Sequence, residues 1–209
     1  MRKKDIDYSV YLVTDHRNKT DEEFLNIIEE AIQGGTTIVQ LREKTASTKD
    51  FYELAMKVKE ITNRYDVPLL INDRIDIALA VDSDGVHIGQ DDMPADVARR
   101  IIGDEKILGV SASTIDEAIK AEEDGADYIG SGAVFPTSTK DDADSVPKEL
   151  LKEIVESINI PTVAIGGITL ENASLLKDTG IAGFSVVSAI MSADNPKEAS
   201  KKLKEIYFS

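Results

Sequence analysis

One pattern recurs eight times along this chain. A short run of β-branched and aliphatic residues is followed by an amphipathic stretch, with only a few polar residues between them. "YSVYLVT" (Tyr8–Thr14) reads as the first strand. "DEEFLNIIEEAIQGG" then sets Phe24, Leu25, Ile27, Ile28, Ala31 and Ile32 at helical spacing, and Gly34-Gly35 ends that helix. Seven further runs read as strands: "TIVQLRE", "VPLLIND", "GVHIG", "KILGVSA", "DYIGSG", "IPTVAIGG" and "AGFSVVSAI". Between them lie "STKDFYELAMKVKEITNRY", a short helix over Ile75–Ala80, a helix starting at Pro94, "STIDEAIKAEEDGA" with Ser and Thr caps, "VPKELLKEIVES" and "TLENASLLKDTG". "NPKEASKKLKEIY" is the last helix.

The strands are continuous apolar runs without clean alternation, as expected of a parallel sheet buried on both faces. Eight strand–helix units in 209 residues predict an α/β protein, a single-domain (β/α)8 TIM barrel over residues 1–209. A doubly wound open sheet shows the same alternation, usually with fewer units. No linker, charge block or low-complexity segment divides the chain.

Composition narrows the chemistry. There are no cysteines, which excludes disulfides, zinc thiolates and cysteine nucleophiles. The net charge of −15 disfavours nucleic acid and anionic membrane as partners. A phosphate ligand would therefore need a local cluster of donors. No apolar run reaches the roughly 18 residues of a membrane span. "MRKKDIDYSV" leads into no apolar signal-type stretch, so a cytoplasmic location is expected.

In such a barrel the active site lies at the C-terminal ends of the strands. The polar and small residues at the ends of the apolar runs are Gln40, Arg42 and Lys44; Asn72 and Asp73; His87, Gly89, Gln90, Asp91 and Asp92; Ser111; Gly166 and Gly167; Val187 and Ser188. After the sixth run comes "VFPTSTKDDA" (Val134–Ala143), which crowds Thr137, Ser138, Thr139 and Lys140 together. Each group alone has a plain structural reading: a salt-bridged barrel end, a helix cap, a tight turn, or a core histidine at position 87. Together they place three cations, several carboxylates and two glycine- or hydroxyl-rich turns on one rim. The turns after the seventh and eighth strands are the usual phosphate site of such barrels. Asp73 and Asp92 facing a cationic rim point to magnesium, an oxygen-loving ion commonly held by one or two carboxylates plus phosphate.

In order along the whole chain, "YLVTD", "VQLREK", "IND", "HIGQDD", "GVSAS", "GADYIGSGAVFPTSTK", "AIGGIT" and "VVSAI" resemble the successive motifs of the thiamin phosphate synthase family. The resemblance implies a transferase that condenses hydroxymethylpyrimidine diphosphate with a thiazole phosphate, giving thiamin phosphate and pyrophosphate; a carboxylated thiazole phosphate serves as well, losing carbon dioxide. Pyrophosphate departs first to leave a pyrimidine cation, which the thiazole nitrogen attacks. By the same resemblance the "QLREK" stretch (Gln40, Leu41, Arg42, Glu43, Lys44), Asn72 and Lys140 bind the pyrimidine diphosphate, and Asp73 and Asp92 bind Mg2+. Ser111 lies near the pyrophosphate; Ser111, Lys140 and Arg42 are the expected catalytic groups. Thr137, Ser138 and Thr139 contact the thiazole phosphate, with Gly167, Val187 and Ser188 as its phosphate cradle. Two positions depart from the family: Ser113 stands where many members carry histidine, and residues 131–133 read "SGA" where a "GP"-like turn is usual. Two other readings stay open, a thiazole tautomerase of the same fold and a non-catalytic phosphate-binding barrel. A homo-oligomer is compatible with the sequence, which does not specify a stoichiometry.

Overall fold

The computed structural model describes residues 6–137 and 145–209. Eight parallel strands close into a barrel in sequential order: β1 (Val10–Val13), β2 (Ile38–Leu41), β3 (Leu69–Asn72), β4 (Gly85–Ile88), β5 (Ile107–Ser111), β6 (Tyr128–Ser131), β7 (Thr162–Ile165) and β8 (Gly183–Val186). Closure is made by β1 pairing with β8, with Leu12 beside Val186. The outer layer holds α1 (Asp21–Gly34), α2 (Thr48–Arg64), α3 (Ile75–Ala80), α4 (Ala95–Ile102), α5 (Ile115–Glu123), α6 (Lys148–Ser157), α7 (Ser188–Met191) and α8 (Pro196–Phe208).

Side chains alternate across each strand, so the barrel has two cores. The outward set packs between strands and helices and includes Leu12, Phe24, Leu41, Leu69, Ile71, Ile129 and Phe184. The inward set is smaller and more aromatic: Tyr8, Tyr11, Val13, Ile38, Leu70, Ile107, Tyr128 and Val163. Helix α1 shows how locally the ends are specified. The Thr20 hydroxyl accepts from the Glu23 N–H, and the Glu23 carboxylate accepts from the Thr20 N–H, a reciprocal cap; Gly35 then stops the helix at φ 115°.

Three expectations need correction. The eighth apolar run is not all strand: β8 ends at Val186, and Ser188–Met191 turns into α7. The stretch after β7 forms a 3-10 helix over Ala173–Thr179 rather than a full α-helix. Pro94 is the residue flanking α4 rather than its first turn. In the first two cases the local apolar pattern suits either form, and the tight connection decides.

Candidate active site

A cavity of about 400 Å3 opens at the C-terminal ends of the strands. Alternation along β2 sends Gln40 into it and Leu41 into the outer core. Arg42, Lys44, Asn72, Asp73, Asp92, Ser111, Thr137, Gly167, Val187 and Ser188 all line the same space. The side chain of Glu43 does not. It folds back on its own loop and accepts from the N–H groups of Lys44 and Thr45 at 2.8 and 3.0 Å. Ser138, Thr139 and Lys140 lie outside the described residues.

Charge in the cavity is organised around two carboxylates. The chain turns sharply after β3, with Asp73 in the left-handed region at φ 59°, a conformation Asp tolerates better than most residues. Its carboxylate accepts from the Lys44 ammonium. Asp92 Oδ2 accepts from the Gly89 N–H at 2.7 Å. Burial, and then the neighbouring Asp73 carboxylate, push the Asp92 carboxyl above its ordinary range, against the pull of the Gly89 bond. Two carboxylates in mutual reach, one already drawing a lysine, form a place where positive charge is favoured. Among the described residues no group of three or more acidic or imidazole side chains could hold a metal. A pair of carboxylates is nonetheless what magnesium takes when phosphate oxygens and water complete its shell.

Other groups offer hydrogen bonds. Asn72 is buried, and its Nδ2 has no hydrogen-bond partner among the described residues. A buried donor left unpaired costs about 1–3 kcal/mol, and this one lines the cavity. Arg42 anchors its backbone to the Thr14 hydroxyl at 3.1 Å while its guanidinium makes no ion pair among the described residues. Opposite these lies the turn after β7. Gly166 and Gly167 hold φ values of 98° and 65°, and a Cβ on Gly167 would sit 2.5 Å from the Pro136 carbonyl oxygen. The missing side chain thus makes room for the protein's own backbone, which continues the sheet through Val134 N–H to Ile165 O at 3.0 Å.

Beneath these groups runs a chain of polar side chains. Gln40, His87 and Ser111 are among the polar residues that the sequence marks at strand ends; Tyr11 and Tyr128 are not. Gln40 Nε2 donates to the Tyr11 hydroxyl at 2.6 Å, and the Tyr11 and Tyr128 hydroxyls lie 2.6 Å apart. His87 Nδ1 is 2.8 Å from the Tyr128 hydroxyl, and His87 Nε2 is 3.0 Å from Ser111 Oγ. Burial lowers the imidazole pKa from its ordinary 6.5 to about 4, so the ring is neutral. His87 is a satisfied core histidine, as its apolar neighbours Val86 and Ile88 predict. Glu117 is a cavity residue that the sequence reading does not single out; it accepts from the Ser113 N–H at 2.7 Å. Its position in the first turn of α5, directly after β5, is the signal that could have found it.

Comparison with known proteins agrees with this geometry. Residues 10–190 match the family model described as thiamine monophosphate synthase. A thiamine-phosphate synthase from Methanobrevibacter smithii is 67% identical over 198 residues, 95% of this chain and 94% of the relative. One from Ruminiclostridium cellulolyticum is 58% identical over 205 residues, 98% of each chain. The solved thiamine phosphate pyrophosphorylase of Pyrococcus furiosus is 41% identical with a TM-score of 0.89, covering 97% of this chain and 96% of that one. With sequence, fold and rim in agreement over nearly the whole length, the chain belongs to the thiamine monophosphate synthase family.

Proposed function

We propose that this chain condenses hydroxymethylpyrimidine diphosphate with a thiazole phosphate, plain or carboxylated, releasing pyrophosphate and thiamin phosphate in the cytoplasm, with loss of carbon dioxide from the carboxylated form. The observation that carries this reading is the division of one cavity into two anion-seeking ends. The ends of β2 to β5 bring Arg42, Lys44, Asn72, Ser111 and the Asp73–Asp92 pair to the cavity; the ends of β7 and β8 bring Gly167, Val187 and Ser188. Two phosphorylated substrates meeting head to head need that arrangement.

The work is divided among the residues by position. Gln40, Arg42 and Asn72 hold the diphosphate substrate, the guanidinium gripping phosphate oxygens and Asn72 Nδ2 gaining its missing acceptor. Asp73 and Asp92 would hold Mg2+, which supplies positive charge to the departing pyrophosphate. Lys44 shifts from Asp73 to phosphate when both substrate and ion are present. Ser111 donates to the same leaving group, and Lys140, which follows β6 in the sequence, is assigned to it as well. No protein nucleophile is required. Fixed donors stabilise the charge that grows on the pyrophosphate, and the barrel mouth holds the thiazole nitrogen in line while excluding water. Thr137, Ser138 and Thr139 would contact the thiazole partner, and Gly167, Val187 and Ser188 its phosphate. Leu41 and Glu43 shape the "QLREK" loop through packing and backbone bonds.

The test is direct. Purified protein with both substrates and magnesium should form thiamin phosphate, and EDTA should abolish it. Folded protein that makes no product under these conditions would end this reading.

A further inference from the structure

The polar chain inside the barrel has a direction, set by which end of the Gln40 amide meets Tyr11 and then carried along by the number of donors each group has. Gln40 presents Nε2 to the Tyr11 oxygen. Tyr11 has a single proton and is 1% exposed, so that proton must go to Tyr128. Tyr128, fully buried, must then pass its own proton to His87 Nδ1. His87 accepts at Nδ1, so its ring proton is on Nε2 and is donated to Ser111 Oγ. One lone pair of Ser111 Oγ is thereby taken by His87, which leaves its hydroxyl proton free to turn into the cavity. Turning the Gln40 amide over would reverse every bond, and Ser111 would donate to His87 and offer only lone pairs to a ligand.

We propose that Tyr11, Tyr128 and His87 are positioning residues whose hydrogen bonds run in one sense, from Gln40 to Ser111, and keep the Ser111 hydroxyl proton available to the departing anion. The kinetic part rests on the proposed reaction; the hydrogen-bond sense does not. The barrel is built around this chain. A Cβ on Gly109 would lie 2.2 Å from the Tyr128 ring, and one on Gly130 would lie 3.0 Å from His87 Cε1. Glycines on β5 and β6 thus clear the space that the two rings fill. An oriented series of bonds in a buried site is self-reinforcing, because each hydroxyl that donates becomes a better acceptor. A hydroxyl proton kept available to the anion need not be withdrawn from His87 as charge develops there, so its benefit falls on the rate rather than on binding.

The chain has two histidines, which makes the prediction readable by 15N NMR of the imidazoles, with His16→Asn assigning the second ring. In the ligand-free protein His87 should be neutral with the proton on Nε2. A proton on Nδ1 would show the opposite sense and overturn the proposal whatever the protein catalyses. Tyr128→Phe keeps the ring and removes the link. It should lower kcat by about ten- to a hundredfold, the usual cost of losing an orienting partner, with KM for both substrates nearly unmoved. In that variant the His87 proton should redistribute between Nδ1 and Nε2. His87→Gln, which offers an amide donor near the Nε2 position, should retain more kcat than His87→Leu. An unchanged kcat in Tyr128→Phe would refute the positioning role. Absence of product from the unmodified protein would instead count against the proposed reaction, with the tautomer measurement still deciding the sense of the chain.

Discussion

Asp92 occupies a position that a lone carboxylate would avoid, since burial and a second carboxylate both oppose its charge. Such a placement is useful when a cation completes it. Asp92→Ala should therefore lower turnover by about 10²–10³-fold, the scale seen when a group that stabilises transition-state charge is removed. Thiazole phosphate binding, followed by calorimetry, should stay close to the unmodified level because that substrate is proposed to lie at the other end of the cavity. Near-normal turnover at saturating magnesium would remove Asp92 from the metal site. Arg42 makes a complementary case. Its guanidinium has no carboxylate partner among the described residues, so its charge is available to a phosphate. Arg42→Ala should weaken binding of the pyrimidine diphosphate by about ten- to a hundredfold, the worth of one charged hydrogen bond. Arg42→Lys should restore only part of this, because an ammonium cannot match the planar fork.

The glycines after β7 act through an element rather than a contact. Gly167 joins the strand end to a turn whose carbonyl is held by Asn172 Nδ2 at 2.9 Å, while Asn172 Oδ1 accepts from the Thr169 N–H at 2.8 Å. Gly167→Ala would place a methyl group against the Phe135 and Pro136 carbonyls at a positive φ. It should cost about 1–3 kcal/mol of stability, measured by urea unfolding, and should also displace the segment that carries Thr137. Unaltered unfolding and unaltered kinetics would show that the turn relaxes freely. Capping at the start of α1 is simpler: Thr20→Ala should cost about 1 kcal/mol and leave turnover alone. Element positions are legible in the sequence because each rests on local signals of this kind. The bounds Ile75–Ala80 agree between pattern and structure, and Ser47 and Thr114 cap α2 and α5 from the sequence positions that propose them. The eighth strand is shorter than its apolar run because "VVSAI" carries no periodicity that separates strand from buried helix.

At the scale of the whole molecule, the polar residues at strand ends, His87 among them, are legible in the sequence, and the two tyrosines that link them are not. Gln40, Asn72 and Ser111 each stand where an apolar run gives way to polar residues, so position along the chain identifies them. Tyr11 and Tyr128 are embedded in apolar runs and resemble ordinary core aromatics. Their role exists only because β1, β2, β4, β5 and β6 meet around one axis, across sequence separations of up to 117 residues. That buried chain also has a consequence for the stability of the fold. His87 titrates near 6.5 when unfolded but near 4 when folded, so between those values the unfolded chain binds the extra proton. Stability from this group is fully present above pH 6.5 and is lost as pH falls toward 4. Lowering pH from 7 to 5 should cost about 2 kcal/mol through His87 alone, at about 1.4 kcal/mol per pH unit. Urea unfolding at the two pH values measures this loss, and His87→Gln, which cannot titrate, should show a correspondingly smaller one. An equal loss in both proteins would assign the acid sensitivity to the carboxylates and show that the buried ring accepts a proton without disturbing the barrel.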